Sequence, residues 1–172
     1  MGKKVTVIST SLRHGSNSAV LADAFAMGAS EAGNEVTLIS LTGKDIHFCT
    51  GCLACQKTGK CVIHDDMNDM QEIVRTSDVL VFATPIYYYE MSGQMKTFLD
   101  RLNPLYIADC QFKDVYLLAS AAEEDEYAMK RAKSGLEGWI ECFPQSHFAG
   151  SVFAGGMTNP GLSLIHISEP TR

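Results

Sequence analysis

Four of the six cysteines in this 172-residue chain fall within thirteen positions: Cys49, Cys52, Cys55 and Cys61, spaced C-x2-C-x2-C-x5-C. Three thiolates at x2 intervals can wrap one [4Fe–4S] core, with a fourth ligand arriving from nearby. Gly51 and Gly59 would let the backbone fold tightly around such a core. Zinc would accept the same four sulfurs, although zinc sites more often pair two separated C-x2-C knuckles. A third reading leaves them as uncoordinated, oxidisable thiols. His47 and His64 flank the segment as further ligand candidates, with solvated surface positions as the plainer reading. Asp65 and Asp66 read as the cap of a following helix rather than a metal-binding pair. Cys110 and Cys142 stand apart and read as ordinary buried thiols.

A second group of residues has the chemistry of an anion site. Ser9, Thr10, Ser11, Leu12, Arg13, His14, Gly15, Ser16, Asn17 and Ser18 follow a β-branched run, KVTVIS, and lead into a helical pattern. Hydroxyls, free backbone N–H groups and the positive end of a helix dipole suit one phosphomonoester. Neither G-x-G-x-x-G nor G-K-[ST] occurs there, so a dinucleotide pyrophosphate and a nucleoside triphosphate are poor guests. Pro85-Ile86-Tyr87-Tyr88-Tyr89 supplies an aromatic wall, because three consecutive tyrosines cannot all face one core. An aromatic contact between two copies is compatible with that role. Ser120, Ala121 and Ala122 let a ligand approach the backbone closely. Phosphate plus a large flat ring fits FMN.

These residues need elements to hold them. Lys4–Ser9, 35–41 (EVTLISL), 78–84 (DVLVFAT), 115–120 (VYLLAS) and the HFAGSVFAGG run read as five strands, the first a continuous β-branched run expected of a strand buried on both faces. Between them, helical spacing predicts a helix capped by Ser18 and running to Ala32, a helix capped by Asp66, a helix capped by Ser92, and a long one over 124–143. Alternation of strand and helix implies an α/β fold with a parallel sheet covered on both faces. Right-handed crossovers make a flavodoxin-like, doubly wound sheet of order 2-1-3-4-5 the natural arrangement. Ligands then sit beyond the carboxyl ends of strands one and three, where the candidate loops are. The net charge of −6 and the lack of a basic stripe argue against nucleic acid. No apolar run reaches membrane-spanning length, and the cysteine usage fits a cytoplasmic protein doing metal or redox work.

Taken together, VISTSLRHGSNS, FATPIYYYEMSGQMKTFLDR and the cysteine segment resemble the NAD(P)H-dependent FMN reductase group of the flavodoxin-like superfamily. The resemblance spans Lys4 to about Gly156. It implies that Ser9, Ser11, Arg13, Ser16, Asn17 and Ser18 hold the FMN phosphate. Pro85, Ile86, Tyr87 and Tyr88 would lie along the isoalloxazine, and Ser120 and Ala121 complete the cofactor site. It also implies a homodimer or higher homo-oligomer, with NAD(P)H as electron donor and a flavin, quinone, nitro or azo compound as small-molecule acceptor. No general acid or base stands out, so the flavin carries the chemistry. The cysteine motif is similar to that of iron–sulfur flavoproteins, which implies the alternative of an electron carrier relaying electrons between ferredoxin and FMN through a [4Fe–4S] cluster at Cys49, Cys52, Cys55 and Cys61. A tyrosine phosphatase of this fold needs a C-x5-R loop after strand one, and a receiver domain needs an Asp where Thr84 ends strand three; both are excluded.

The last eleven residues, LSLIHISEPTR, read as the translation of a transposase adapter used in sequencing-library preparation. The expected organisation is therefore one FMN-binding domain over 1–161, truncated at its C-terminus and lacking its last helix, followed by a non-native stretch over 162–172.

Overall fold

Alternate residues of the first strand face opposite layers. Val5 and Val7 join the apolar cluster under the first helix, while Ile8 joins the larger cluster on the other side. The computed structural model describes residues 2–159. In chain order it contains β1 (Lys4–Ser9), α1 (Asn17–Glu31), β2 (Glu35–Ser40), the short α2 (Cys55–Thr58), α3 (Met67–Arg75), β3 (Val79–Tyr87), β4 (Glu90–Met91), α4 (Gly93–Arg101), β5 (Asp114–Ser120), α5 (Lys130–Ile140) and β6 (His147–Ala154). Single turns of 3-10 helix occupy Asn103–Ile107 and Glu126–Met129.

The long strands pair in parallel in the order β2-β1-β3-β5-β6. Discounting the two-residue β4, this is the expected flavodoxin-like order. In register, Ser9 lies between Ser40 and Ala83, and Ser120 lies between Pro85 and Ala154. The anion loop, the tyrosine segment and the Ser120 loop therefore leave the same edge of the sheet, at the point where strand order reverses.

The larger core lies between the sheet and α3, α4 and α5. Trp139 stacks on Phe112 at 5.8 Å and meets Phe82 edge-on at 5.9 Å. On the other face α1 packs Leu21 and Ala22 against Val81 and Ala83, and Phe25 meets Tyr116 at 5.8 Å. No described helix is long and apolar enough to cross a membrane.

Several expectations need correction. Helix α1 is capped by Ser16, not Ser18: the Ser16 Oγ accepts from the Ala19 N–H at 3.2 Å. Asp66 stands at the head of α3 but its side chain caps nothing there; the neighbouring Asp65 carboxylate accepts from the Met67 N–H instead, and Asp66 accepts from the Asp45 N–H. Strand β3 runs on to Tyr87, so the tyrosines form part of a β-hairpin with β4 rather than a plain loop. The long final helix begins as a 3-10 turn and is helical only over Lys130–Ile140. Ser92 does cap α4 as expected, accepting from the Met95 N–H. The expected truncation near residue 161, with loss of the last helix, and the stretch 162–172 lie outside the described residues.

Candidate functional site

The anion loop is buried to a degree that turn-forming residues alone would not require. Ser9, Ser11, Ser16, Asn17 and Ser18 are all buried, while Arg13 and His14 are exposed at the rim. Gly15 adopts a left-handed conformation at φ 61°, which turns the chain into α1. The first turn of α1 carries no acidic residue, so the positive end of its dipole is left uncancelled. Ser16 spends its oxygen on the helix cap, and Ser11 Oγ accepts from the Arg13 N–H at 3.2 Å. Asn17 Nδ2 donates to the Asn159 carbonyl at 2.8 Å. Ser9 differs from the rest: its buried Oγ has no partner among the described residues. A buried hydroxyl without a partner is costly, and a phosphate oxygen at this edge would satisfy it.

A buried hydroxyl network fixes the loop to the tyrosine hairpin. Thr10 Oγ1 donates to the Ala83 carbonyl at 2.9 Å and lies 3.1 Å from Ser92 Oγ. Thr84 Oγ1 in turn contacts Ser92 Oγ at 3.2 Å and accepts from the Ser92 N–H at 3.1 Å. Beyond this network the chain makes a two-residue turn, with Tyr88 at φ 51° and Tyr89 at φ 65°. Two consecutive positive φ values define a type I′ hairpin turn, a place usually taken by Asn-Gly. Tyrosine there is strained, and strain of this kind concentrates where a ligand is gripped. Tyr88 is 97% exposed, so its ring is held out from the edge where Pro85 and Ile86 are half-buried.

The third loop is differently occupied. Ser120 and Ala121 are buried, and the Ala121 N–H and carbonyl bond to Ala154 and Met157. Its backbone is thus tied to the segment after β6, and Gly155 passes so close to Glu123 and Glu124 that a Cβ would lie 2.7 Å from a carbonyl oxygen.

The four cysteines come together. Cys49, Cys52, Cys55 and Cys61 line one cavity of ≈ 20 Å³, together with Arg101 and Asn103. As the thiols stand, no group of three or more His, Cys, Asp or Glu side chains among the described residues is close enough to hold a metal ion. The surroundings nonetheless suit bound thiolates. Asn103 Nδ2 donates to Cys55 Sγ at 3.1 Å, and the Gly51 N–H donates to Cys49 Sγ at 3.4 Å. The Ala54 N–H and the Thr50 hydroxyl lower the Cys52 thiol below its ordinary value. Leu53, between Cys52 and Ala54, is left-handed at φ 55°, a further strained non-glycine residue in the segment. His47 lies 3.3 Å from Asp65 rather than among the sulfurs, and His64 is exposed away from them. Cys110 is buried as expected, which pushes its thiol up to about 11; Cys142 is exposed, against expectation.

Beneath the cysteines lie residues that sequence reasoning missed. Arg101 and Asp65 form an ion pair with both side chains at 0% exposure. Burial would raise the Asp65 carboxyl, but hydrogen bonds from Arg101 and from the His47 and Met67 N–H groups, with the Arg101 charge, hold it well below the usual carboxylate range. A signal was present: Arg101 follows Phe98 by three residues and so shares the buried face of α4. Helix α4 links both centres. Its cap, Ser92, belongs to the hairpin network, and Arg101 at its other end lines the cysteine cavity, nine residues and about 13 Å further on. A second cavity of ≈ 300 Å³, lined by Leu12, Phe48, Gly93, Gln94 and Thr97 among others, lies between the anion loop and the start of α4.

Topology and site together define a flavodoxin-like protein with a buried, serine-rich loop at the switch point and an inserted cysteine segment. The chain belongs to the NADPH-dependent FMN reductase family, a family of FMN-dependent oxidoreductases, whose sequence pattern matches residues 3–157. The chain is 37% identical over 102 residues to an iron-sulfur flavoprotein of Archaeoglobus fulgidus, covering 59% of this chain and 46% of that protein. An iron-sulfur flavoprotein of Methanosarcina thermophila is 34% identical over 98 residues, 57% of this chain and 51% of its own. The chain thus spans about half the length of the curated relatives it matches. Among solved structures, an NAD(P)H:quinone oxidoreductase from Methanothermobacter marburgensis is similar in fold, with a TM-score of 0.75 at 16% identity over 97% of this chain and 94% of the other. The Trp repressor binding protein from Bacillus subtilis gives 0.69 at 26% identity over 95% and 92%.

Proposed function

We propose that this protein is an FMN-dependent oxidoreductase of the iron–sulfur flavoprotein type, with FMN at the switch point and a [4Fe–4S] cluster held by Cys49, Cys52, Cys55 and Cys61. The observation that carries the reading is the convergence of those four cysteines on one cavity, joined by α4 to the anion loop and tyrosine hairpin. The iron-sulfur flavoprotein names of the relatives from Archaeoglobus fulgidus and Methanosarcina thermophila support it.

The protein's own residues bind and orient. Ser9, Ser11, Ser16, Asn17 and Ser18, with the N–H groups opening α1, hold the FMN phosphate, and Arg13 adds positive charge at the rim. Pro85, Ile86, Tyr87 and Tyr88 lie along the flavin ring, with Ser120 and Ala121 bounding it. The Thr10–Thr84–Ser92 network keeps the hairpin at a fixed height above the sheet. The Ala54 N–H and the Thr50 hydroxyl favour the Cys52 thiolate, while the Gly51 N–H and Asn103 donate to the sulfurs of Cys49 and Cys55. Bound FMN supplies two-electron exchange, and the cluster supplies one-electron exchange. The acceptor is a small flavin, quinone, nitro or azo compound, and reduced ferredoxin is the electron source. The exposed Tyr88 and Phe48, the latter 78% exposed beside the start of α4, form a contact between copies in a cytoplasmic homo-oligomer.

The second reading is a reductase driven directly by NAD(P)H with the cysteines as plain loop thiols. It is favoured by the family match and by the thiols standing short of a coordinating array. Anaerobic purification with flavin, iron and acid-labile sulfide assays on one sample separates the two. About four irons and four sulfides per flavin is the expected result. Flavin without iron, together with steady NADPH oxidation, would replace the first reading by the second.

A further inference from the structure

Arg101 is the largest side chain fully removed from solvent in the described structure. Four contacts account for the end of its guanidinium. Nη1 donates to the His47 carbonyl at 2.7 Å and to Asp65 Oδ2 at 2.6 Å; Nη2 donates to Asp65 Oδ1 at 2.8 Å and to the Ile63 carbonyl at 3.5 Å. The remaining N–H, on Nε, is buried and has no partner among the described residues. A buried charged donor left unpaired is strongly unfavourable, so the position calls for an acceptor. Sulfur lies beside the guanidinium, because Arg101 lines the cavity shared by Cys49, Cys52, Cys55 and Cys61.

Asp65 explains the placement. Its bidentate grip fixes the plane of the guanidinium, and its own N–H donors at His47 and Met67 fix the carboxylate. The free edge of the fork is consequently not adjustable. The same cavity carries a second donor, Asn103 Nδ2, on Cys55.

We propose that Arg101 Nε–H donates a hydrogen bond to sulfur of the cysteine-held cluster, a cysteinyl thiolate or a sulfide, and thereby raises the reduction potential of that cluster; this rests on the iron–sulfur reading above. Reduction adds one electron, supplied by a one-electron donor such as ferredoxin or, in a titration, dithionite, and no bond is made or broken. The added negative charge spreads over the sulfurs, so a donor fixed against one of them favours the reduced state over the oxidised one. Asp65 is a positioning residue for that donor.

The test uses the full chain purified without oxygen. Arg101→Lys keeps a cation opposite Asp65 but has no N–H at the Nε position. In a dithionite titration followed by EPR, the variant's cluster is expected to be about tenfold harder to reduce, a fall of about 59 mV for a one-electron couple. The flavin couple should not move. An unchanged cluster potential in a variant that retains iron overturns the proposal. Should Arg101→Lys fail to fold, the native protein answers directly. After labelling with guanidino-15N arginine, pulsed EPR of the reduced cluster should show coupling to 15N, and its absence overturns the proposal equally. If native protein holds flavin but no iron or sulfide, the cluster reading itself falls and takes this inference with it. The iron assay tells that failure apart from the other two.

Discussion

The guanidinium of Arg101 grips the carboxylate of Asp65 through two bonds, of 2.6 Å and 2.8 Å, with both side chains wholly out of solvent. One partner ends α4 and the other precedes α3, so the pair clamps the cysteine segment to the body of the domain. The backbone is included, since Nη1 also holds the His47 carbonyl and Asp65 accepts from the His47 N–H. Breaking such a pair leaves a buried charge without its counterion. Arg101→Ala or Asp65→Ala should each lower stability by about 3–5 kcal/mol in a urea titration. Replacing both together, by Asp65→Leu with Arg101→Met, should recover much of that loss, because no uncompensated charge remains. A double variant as unstable as either single one would contradict this account.

Acid should weaken the same clamp. The Asp65 carboxyl is depressed by its hydrogen bonds and by the Arg101 charge, so its contribution is complete above the unfolded value, about pH 4. It is then lost as pH falls toward the lower folded value. Asp65→Asn has no such dependence. The gap in urea midpoint between wild type and Asp65→Asn should be widest at pH 6 and narrow steadily below pH 4. A gap independent of pH would mean that the carboxylate is not the group being titrated.

The strands were legible because their residues obey one simple rule. A strand covered on both faces needs a continuous β-branched and apolar run, and KVTVIS and DVLVFAT supply one each. The loops that carry Ser9–Ser18, Tyr87–Tyr89 and the cysteines were legible for the related reason that topology leaves chemistry one edge of the sheet. The Tyr88–Tyr89 turn was not, since its residues break the composition rule for the turn they make. Arg101 and Asp65 were missed because each has a common surface role, helix face and helix cap, that sequence alone prefers. Only tertiary packing reveals that the cap is a counterion.

Ser9 offers a sign-reversing test of the anion loop. Its buried Oγ has no partner among the described residues, so Ser9→Ala removes an unsatisfied group and should leave the stability of the FMN-free protein unchanged or slightly higher. If the loop holds the FMN phosphate, the same change deletes a hydrogen bond to a charged group, worth about 1.5–3 kcal/mol. Thermal unfolding without FMN and fluorescence titration with it should move in opposite directions. A parallel loss in both would make Ser9 a structural residue.

The tyrosine turn should separate stability from ligand grip. Left-handed residues other than glycine cost about 1–2 kcal/mol each. Tyr88→Asn with Tyr89→Gly installs the usual type I′ pair and should stabilise the FMN-free protein by about 1 kcal/mol. If the strained rings line the flavin, the same variant should bind FMN several-fold more weakly. Equal FMN affinity in a stabilised variant would reduce the turn to a contact between copies, which sedimentation of the variant would then reveal as a smaller assembly.

The cysteines should differ in reactivity even without metal. Cys52 is exposed, and its thiolate is favoured first by the Ala54 N–H and then by the Thr50 hydroxyl. Cys110 is buried and pushed up to about 11. The thiolate is the attacking form, so iodoacetamide at pH 7 should label Cys52 well before Cys110, as read by peptide mass spectrometry over time. Across a pH series, labelling of Cys52 should reach half its maximal rate below the ordinary thiol value. Thr50→Val removes one of the stabilising donors and should shift that half-point upward while leaving Cys142 unaffected. Iron loading adds a second comparison on the same peptides. Cysteines bound to a cluster are not free to attack, so Cys49, Cys52, Cys55 and Cys61 should lose their reactivity together while Cys142 keeps its own. Protection of Cys52 alone would point to a local redox thiol, and protection of all four to a shared core.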